Sequence, residues 1–171
     1  MNIFYLSDNP TLAAQYQCDK HVVKMILESA QLLCTAHREL DGNMCSDCIY
    51  KATHKNHPCA IWTRESIANY YWLYNHFAAL CCEYTIRYGK VHTCETKLTS
   101  FLYKAPKNIN ISYDFTFPPQ CMPDEYKHKD TVTAYRQYYA LDKGNKDWFV
   151  YEKSRGRPSF IENIQKQGSF V

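Results

Sequence analysis

Residues 19–33 read DKHVVKMILESAQLL, and this stretch decides the fold class because its apolar side chains recur at helical spacing. Hydrophobic residues at positions 22, 23, 26, 27, 30 and 33 follow the three-and-four rhythm of a helix with one buried face. The same pattern extends back to a helix-start sequence, SDNP at residues 7–10, and forward to His37, with a break near residues 18–19. These signals predict core-facing helix over residues 10–37.

The rest of the chain predicts further helices joined by loops. A wide apolar face predicts a long central helix from Ala60 to Tyr88, ended by Gly89. Shorter helices are expected over 92–103 and 124–142, loops over 41–58 and the Pro-rich stretch 106–123, a buried strand or extended lead-in over 1–6, and a basic, weakly patterned tail from 143. The prediction is a mainly α fold in which residues 1–171 form a single compact helical domain with an irregular Pro-rich loop.

Composition limits the classes of function. Lys and Arg total 20 against 17 for Asp and Glu, a net charge of +3, which argues against general coating of nucleic acid and leaves room for a local basic face. No apolar run is long enough to predict a membrane span. Nine cysteines, too few for a disulfide scaffold and odd in number, favour a reducing cytoplasmic compartment, as does the lack of a signal-peptide pattern.

The first candidate site is a polar ridge on the early helix. Lys20, Lys24, Glu28 and Gln31 are spaced by four, four and three residues and therefore share one face, with His21 beside them. One interpretation is a solvated face with an i,i+4 ion pair worth a few tenths of a kcal/mol. The other places the glutamate at the floor of a cleft, where burial and lysines tune it for acid–base or electrostatic work.

The sequence HKNHP at residues 54–58 forms a second candidate site at the start of the central helix. Free N–H groups and the helix dipole at such a start favour a phosphate group. Lys55, Asn56, His57 and Arg64 are the candidate binding side chains, and the alternative is that His57 is a helix cap or a hydrogen-bonded surface histidine.

A third candidate is a structural zinc site, since thiolate and imidazole side chains cluster within fifteen residues at Cys45, Cys48, His54, His57 and Cys59, and the expected ligand set is Cys45, Cys48, His54 and Cys59. Thiolate and imidazole are preferred zinc ligands, and the first two cysteines have zinc-knuckle spacing. The later ligands follow more closely than in zinc fingers, so the alternative is a set of small apolar thiols that only pack. The sequence has no P-loop, dinucleotide-binding or zinc-protease motif, and no cofactor is expected.

Three segments together resemble a known family. Residues 22–33 (VVKMILESAQLL), the KNHP at 55–58 and the helix ending EYTIRYG at 83–89 resemble the pyrimidine-dimer DNA glycosylase (endonuclease V-type) family, and also small uncharacterised bacteriophage proteins. The resemblance covers about residues 1–91. It implies an α-helical enzyme that binds duplex DNA, flips a base and cleaves the glycosidic bond.

The resemblance also implies a chemistry. In that family the N-terminal α-amine attacks the sugar C1′ to form a Schiff base, and a glutamate on an early helix assists; Glu28 matches that glutamate. An α-amine is partly neutral at pH 7 and can act as a nucleophile, while a nearby carboxylate stabilises the cationic intermediate. The candidate catalytic groups are therefore Glu28, the Met1 amine and, as an alternative Schiff-base amine, Lys24 or Lys20.

Two positions depart from the family pattern. Asn2 does not favour removal of Met1, so Met1 itself would carry the reacting amine. The arginine that accompanies the family's glutamate is replaced here by Ile26 or Leu27. Its basic role would then fall on Lys20, Lys24 or Arg64.

The sequence is compatible with three alternative functions. The first is a base-processing enzyme resembling a DNA glycosylase/AP lyase, acting on a damaged or modified base in DNA. The second is a non-catalytic phage protein that binds a nucleotide or small phosphorylated ligand, and the third is a zinc-stabilised accessory interaction protein. DNA or a nucleotide is the expected partner, the cytoplasm (of the host cell, for a phage protein) is the expected location, and the sequence carries no signal for an oligomeric state.

Overall fold

The computed structural model describes residues 1–42 and 49–168, and regular structure within them is entirely helical, as predicted. None of these residues forms a β-strand, and no helix among them combines the length and hydropathy that a bilayer span requires. The helices are α1 (Pro10–Gln15), α2 (Asp19–Asp41), α3 (Pro58–Glu65), α4 (Ile67–Tyr88), α5 (Thr93–Leu102), α6 (Thr131–Tyr138) and α7 (Ser159–Gly168), with a 3-10 turn at Asp124–Tyr126 and a π-helical turn at Tyr139–Lys143.

α1 starts at the capping residue that the sequence predicts, whereas Cys18, at the start of α2, makes no side-chain capping bond. The Asn9 side chain accepts two backbone N–H groups at the start of α1, and Pro10 occupies the first turn. The predicted break near residues 18–19 is confirmed, because α1 ends at Gln15 and α2 begins at Asp19. The expected end at His37 was one turn too early, since α2 continues to Asp41.

The predicted central helix from Ala60 to Tyr88 is in fact two helices. Ser66 has extended backbone angles, and its Oγ accepts the Asn69 N–H, so it ends α3 and caps α4. Apolar periodicity continues across this break, which is why the pattern alone did not reveal it. α4 packs against α1, α2, α3 and α5 and is the central helix, and Gly89, with a φ of 65°, ends it as predicted.

The last third of the chain departs most from prediction. Residues 124–142 form a 3-10 turn, α6 and a π-helical turn instead of one helix, because Asp130 accepts the Thr133 N–H and starts α6 only there. The weakly patterned tail contains a helix, α7, whose Ile161 is buried in the core. Residues 106–123 are irregular, as expected.

Residues 1–6 form no regular secondary structure, so the strand alternative is wrong, and the lead-in is not extended throughout, because Phe4 has a φ of 54° and the Leu6 N–H donates to the Phe4 carbonyl at 2.8 Å. Residues 3–6 lie in the hydrophobic core. Arg136 Nε on α6 donates to the Leu6 carbonyl at 2.8 Å, and the Asn2 side chain donates to the Cys121 carbonyl at 2.9 Å. The N-terminus is thereby held between α2 and the last third of the chain; the single-domain organisation stays a prediction.

Candidate active site

An open cleft of about 300 Å³ lies beside the first residue of the chain. The N-terminal segment, α2 and the last third of the chain each supply part of its wall. Four residues singled out in the sequence line it, namely Met1, His21, Lys24 and Glu28. The other lining residues are Asn2, Phe4, Cys121, Tyr138, Lys143 and Trp148.

Glu28 has a partner for each carboxylate oxygen. Oε2 accepts the backbone N–H of Asn2 at 3.0 Å, and Oε1 lies 3.3 Å from the Lys24 ammonium. The Glu28 side chain is 15% exposed and that of Lys24 is 63% exposed. The ion pair of the solvated-face interpretation is therefore present, while the carboxylate itself lies in the cleft wall against the first peptide of the chain.

Asn2 organises the N-terminus around this carboxylate. Its Oδ1 accepts the N–H groups of Ile3 and Phe4 at 2.7 and 3.0 Å, and its Nδ2 holds the Cys121 carbonyl. These bonds support Phe4 in a left-handed conformation with a φ of 54°, which costs about 1–2 kcal/mol for a residue other than glycine. In that conformation the Phe4 ring stacks on His21, with 4.6 Å between ring centroids.

His21 is uncharged at neutral pH. Its side chain is buried, and Nδ1 lies 2.9 Å from the Tyr139 hydroxyl. Burial lowers its pKa to about 3, and the positive charges of Lys24, Lys143 and Lys20 act in the same direction. His21 can therefore offer a stacking face and a hydrogen bond to a ligand, whereas positive charge around the cleft comes from the lysines.

Aromatic rings and lysines from distant parts of the chain complete the cleft. Lys143 Nζ lies 4.6 Å from the centroid of the Tyr138 ring, and Lys20, which is not a lining residue, reaches the cleft only through Trp148, with Nζ 4.9 Å from that ring's centroid. Lys143 also pairs with Asp142 at 2.8 Å. The sequence did not predict Tyr138, Lys143 and Trp148 as cleft residues, because no local pattern connects them with α2. Their residue types, aromatic and basic, were the only signal of a binding role.

His57 starts α3 next to the same N-terminal region. Its Nδ1 accepts the Cys59 N–H at 3.1 Å, so the cap interpretation describes its geometry. Partial burial lowers the pKa of His57, the N-terminal ammonium lowers it further, and Glu28 opposes them. These charges reach His57 because it lies near both groups.

Two thiols meet at the cleft wall, to which Cys121 belongs. The Sγ atoms of Cys59 and Cys121 are 3.6 Å apart. Either thiol can donate the hydrogen bond between them, and this bond lowers the pKa of the Cys121 thiol and, together with burial, raises that of Cys59. His57, Cys59 and Cys121 form a group of metal-ligand side chains, with ligand atoms all within 4.8 Å of one another.

The zinc site expected from sequence is not assembled from its described members. Cys45 and Cys48 lie outside the described residues. His54 is exposed, with its Nδ1 2.7 Å from the Thr53 hydroxyl, and the described metal-ligand group around Cys59 does not include it.

The other predicted binding residues do not line the cleft. Lys55 lies 3.8 Å from the Glu39 carboxylate, and Arg64 donates to the Lys55 carbonyl at 2.7 Å. Asn56 is exposed, and Gln31 is half-buried on α2 beyond Glu28. The two halves of the predicted site are thus distributed over the cleft and the exposed start of α3.

Comparison with known proteins agrees with the resemblance found in the sequence. No curated protein and no solved structure matches the chain. A family model described as pyrimidine dimer DNA glycosylase matches residues 1–96, more than half of the 171 residues, and this range contains Glu28 and the start of α3. Such membership supports a DNA repair glycosylase role in general and DNA as the substrate class. The chain belongs to the pyrimidine dimer DNA glycosylase family.

Proposed function

We propose that this chain is a DNA glycosylase with AP-lyase activity, in which the N-terminal amine is the nucleophile and Glu28 assists it. The observation that carries the proposal is the 3.0 Å contact between Glu28 Oε2 and the Asn2 N–H. This contact keeps the carboxylate of an early helix at the first peptide of the chain, beside Met1 and inside a cleft.

The chemistry follows from an amine next to a carboxylate. The amine nitrogen bonds to C1′ of the target nucleotide, the glycosidic bond breaks, and the base leaves with the bonding electrons and takes a proton. The nitrogen loses a proton, the C1′–O4′ bond breaks, and O4′ keeps the bonding electrons and takes a proton, which leaves a protonated imine between protein and DNA. Glu28 stabilises this cation, and a carboxylate at that distance can also accept the C2′ proton whose loss expels the 3′ phosphate.

The amine that reacts depends on N-terminal processing. Met1 lines the cleft and carries the amine in the chain as written. If Met1 is removed, the Asn2 nitrogen becomes the α-amine and already lies 3.0 Å from Glu28. Because Asn2 does not favour that removal, we assign the reaction first to the Met1 amine, with Lys24, 3.3 Å from Glu28, as the competing amine.

Binding of DNA is assigned to the rim and walls of the cleft. Lys20, Lys24 and Lys143 supply positive charge for phosphate groups. Lys24 also places a positive charge beside Glu28. It would thus take the role of the family's arginine, which this chain replaces with Ile26 or Leu27. The rings of the wall offer stacking faces for an extruded base or its orphaned partner.

Borohydride trapping on duplex DNA tests the proposal. The chain, tagged only at its C-terminus, is incubated with DNA that contains an abasic site or a cyclobutane pyrimidine dimer. We expect a covalent adduct that tandem mass spectrometry maps to the N-terminal residue. Glu28→Gln should lower trapping by about 100-fold or more, the scale of lost acid–base assistance, while Glu162→Gln on the exposed surface of α7 should not change it.

Three outcomes contradict the proposal. An adduct mapped to Lys24 removes the N-terminal amine from the mechanism. Unchanged trapping by a variant with two extra residues before Met1 also removes the N-terminal amine from the mechanism. Absence of an adduct from a folded chain that free nucleotides nevertheless stabilise against heat favours the ligand-binding protein instead.

A further inference from the structure

The thiols of Cys59 and Cys121 are spaced as two ligands of one metal ion. Their Sγ atoms are 3.6 Å apart. Two thiolates bound at about 2.3 Å to a tetrahedral zinc ion are about 3.8 Å apart, so coordination requires almost no movement. The His57 ring supplies a nitrogen within 4.8 Å of both sulfur atoms.

We propose that His57, Cys59 and Cys121 bind one thiophilic divalent cation of the zinc class. Two sulfur atoms and one imidazole nitrogen suit zinc better than magnesium or calcium, which prefer oxygen. Binding replaces the two thiol protons, which pass to solvent, and requires no oxidant. The His57 lone pair that now accepts the Cys59 N–H is exchanged for a stronger metal–ligand bond.

The three ligands come from two parts of the chain, the start of α3 and the irregular segment 106–123, so one ion would connect these two parts. Cys59 is fully buried, while His57 and Cys121 are half-exposed, and Cys121 also lines the cleft. Water or a ligand from the cleft can therefore fill the fourth coordination position. Because Cys121 belongs to the irregular segment 106–123 and its carbonyl holds Asn2, the ion fastens that segment to α3 and steadies the N-terminus.

Metal titration of the reduced, folded chain tests this site independently of any activity on DNA. The chain is stripped with a chelator under thiol reductant without oxygen and titrated with Zn²⁺ against a chromogenic chelator. We expect one high-affinity ion per chain. Co²⁺ in its place should show thiolate-to-cobalt charge transfer and the visible absorption of tetrahedral coordination.

Matched variants assign the ligands. Cys121→Ser and His57→Asn should weaken binding by more than the roughly 100-fold that loss of an outer-shell partner produces. Asn keeps the helix cap while removing the imidazole. Cys82→Ser, at an exposed cysteine of α4, should bind the ion as the unaltered chain does, and circular dichroism checks that each variant is folded.

Other results overturn the site. One is the absence of stoichiometric uptake by the folded chain, and another is unchanged affinity in Cys121→Ser. Loss of binding in Cys45→Ser or Cys48→Ser but not in Cys121→Ser assigns the metal to different ligands. Recovery of Cys59 and Cys121 as a disulfide from chain kept under reductant shows that these thiols pair with each other instead.

Discussion

Arg87 shows how one side chain can connect several elements. Its side chain has no exposed surface, and it donates to Glu83 and Asp19 at 3.1 Å each and to the carbonyls of Gln15 and Gln17. The guanidinium thereby joins the ends of α1 and α4 to the start of α2. A buried cation with four hydrogen bonds does not by itself add much stability, but its removal leaves the Glu83 and Asp19 carboxylates without that partner.

Arg87→Met should therefore lower the free energy of unfolding by about 3–5 kcal/mol, the usual effect of breaking a buried ion pair. Arg155 is the control because it contacts the same Glu83 carboxylate at 2.7 Å from a side chain that is 36% exposed. Arg155→Met should change stability by less than about 1 kcal/mol. Urea denaturation measures both, and equal losses would contradict the difference in burial that the prediction depends on.

At the scale of elements, Asn69 attaches the irregular Pro-rich segment to the central helix. It is fully buried on α4; its Nδ2 donates to the Trp62 carbonyl and the Thr116 hydroxyl, and its Oδ1 accepts the Thr116 N–H at 3.0 Å. Trp62 Nε1 donates to the Thr116 carbonyl at 2.9 Å. A segment without helix or strand is thus held by side chains of its neighbours.

Asn69→Leu keeps the volume of the side chain and removes these bonds. We expect a loss of about 1–3 kcal/mol, because the Thr116 N–H loses its partner. Limited proteolysis should then cut within residues 106–123 faster than in the unaltered chain. Asn75→Leu, at an exposed position of the same helix, is the control, and cleavage that is equally fast in both variants would argue against the anchoring role.

At the scale of the whole molecule, burial of three histidines makes stability depend on pH. His21, His37 and His76 are buried, and burial lowers the pKa of each, to about 3 for His21 and about 4 for His76. In the unfolded chain a histidine binds a proton below about pH 6.5. The unfolded state then holds more protons than the folded state, so stability falls as the pH falls.

We expect the free energy of unfolding to decrease steadily from pH 6.5 to pH 5. Substitution His76→Gln should remove up to about 1.4 kcal/mol per pH unit from that slope, the effect of one proton bound only by the unfolded chain. His128→Gln, at an exposed histidine, should leave the slope unchanged. Urea denaturation at several pH values checks this, and an unaltered slope in His76→Gln would contradict it.

Some of this protein was predictable from local patterns. Apolar spacing and capping residues predicted α1, α2 and the end of α4 at Gly89, since a helix is specified by residues three and four positions apart. The order of segments over about residues 1–91 identified the family that the match to residues 1–96 supports. Periodicity did not predict the break at Ser66, because a side-chain cap determines it. It did not predict helix α7 either, because burial of that helix against the core determines it.

The sequence by itself determined the helical class, the family and the pairing of Lys24 with Glu28, because each depends on residues close along the chain or on their order. Tertiary structure alone brought the Asn2 N–H to Glu28, Lys143 and Trp148 to the cleft, and Cys121 to within 3.6 Å of Cys59. Asn2 and Glu28 are 26 positions apart in the sequence, Cys59 and Cys121 are 62 apart, and Trp148 is 127 positions from His21, its neighbour in the cleft. Contacts over such separations arise only when packing of the whole core brings the segments together, and no local pattern encodes them.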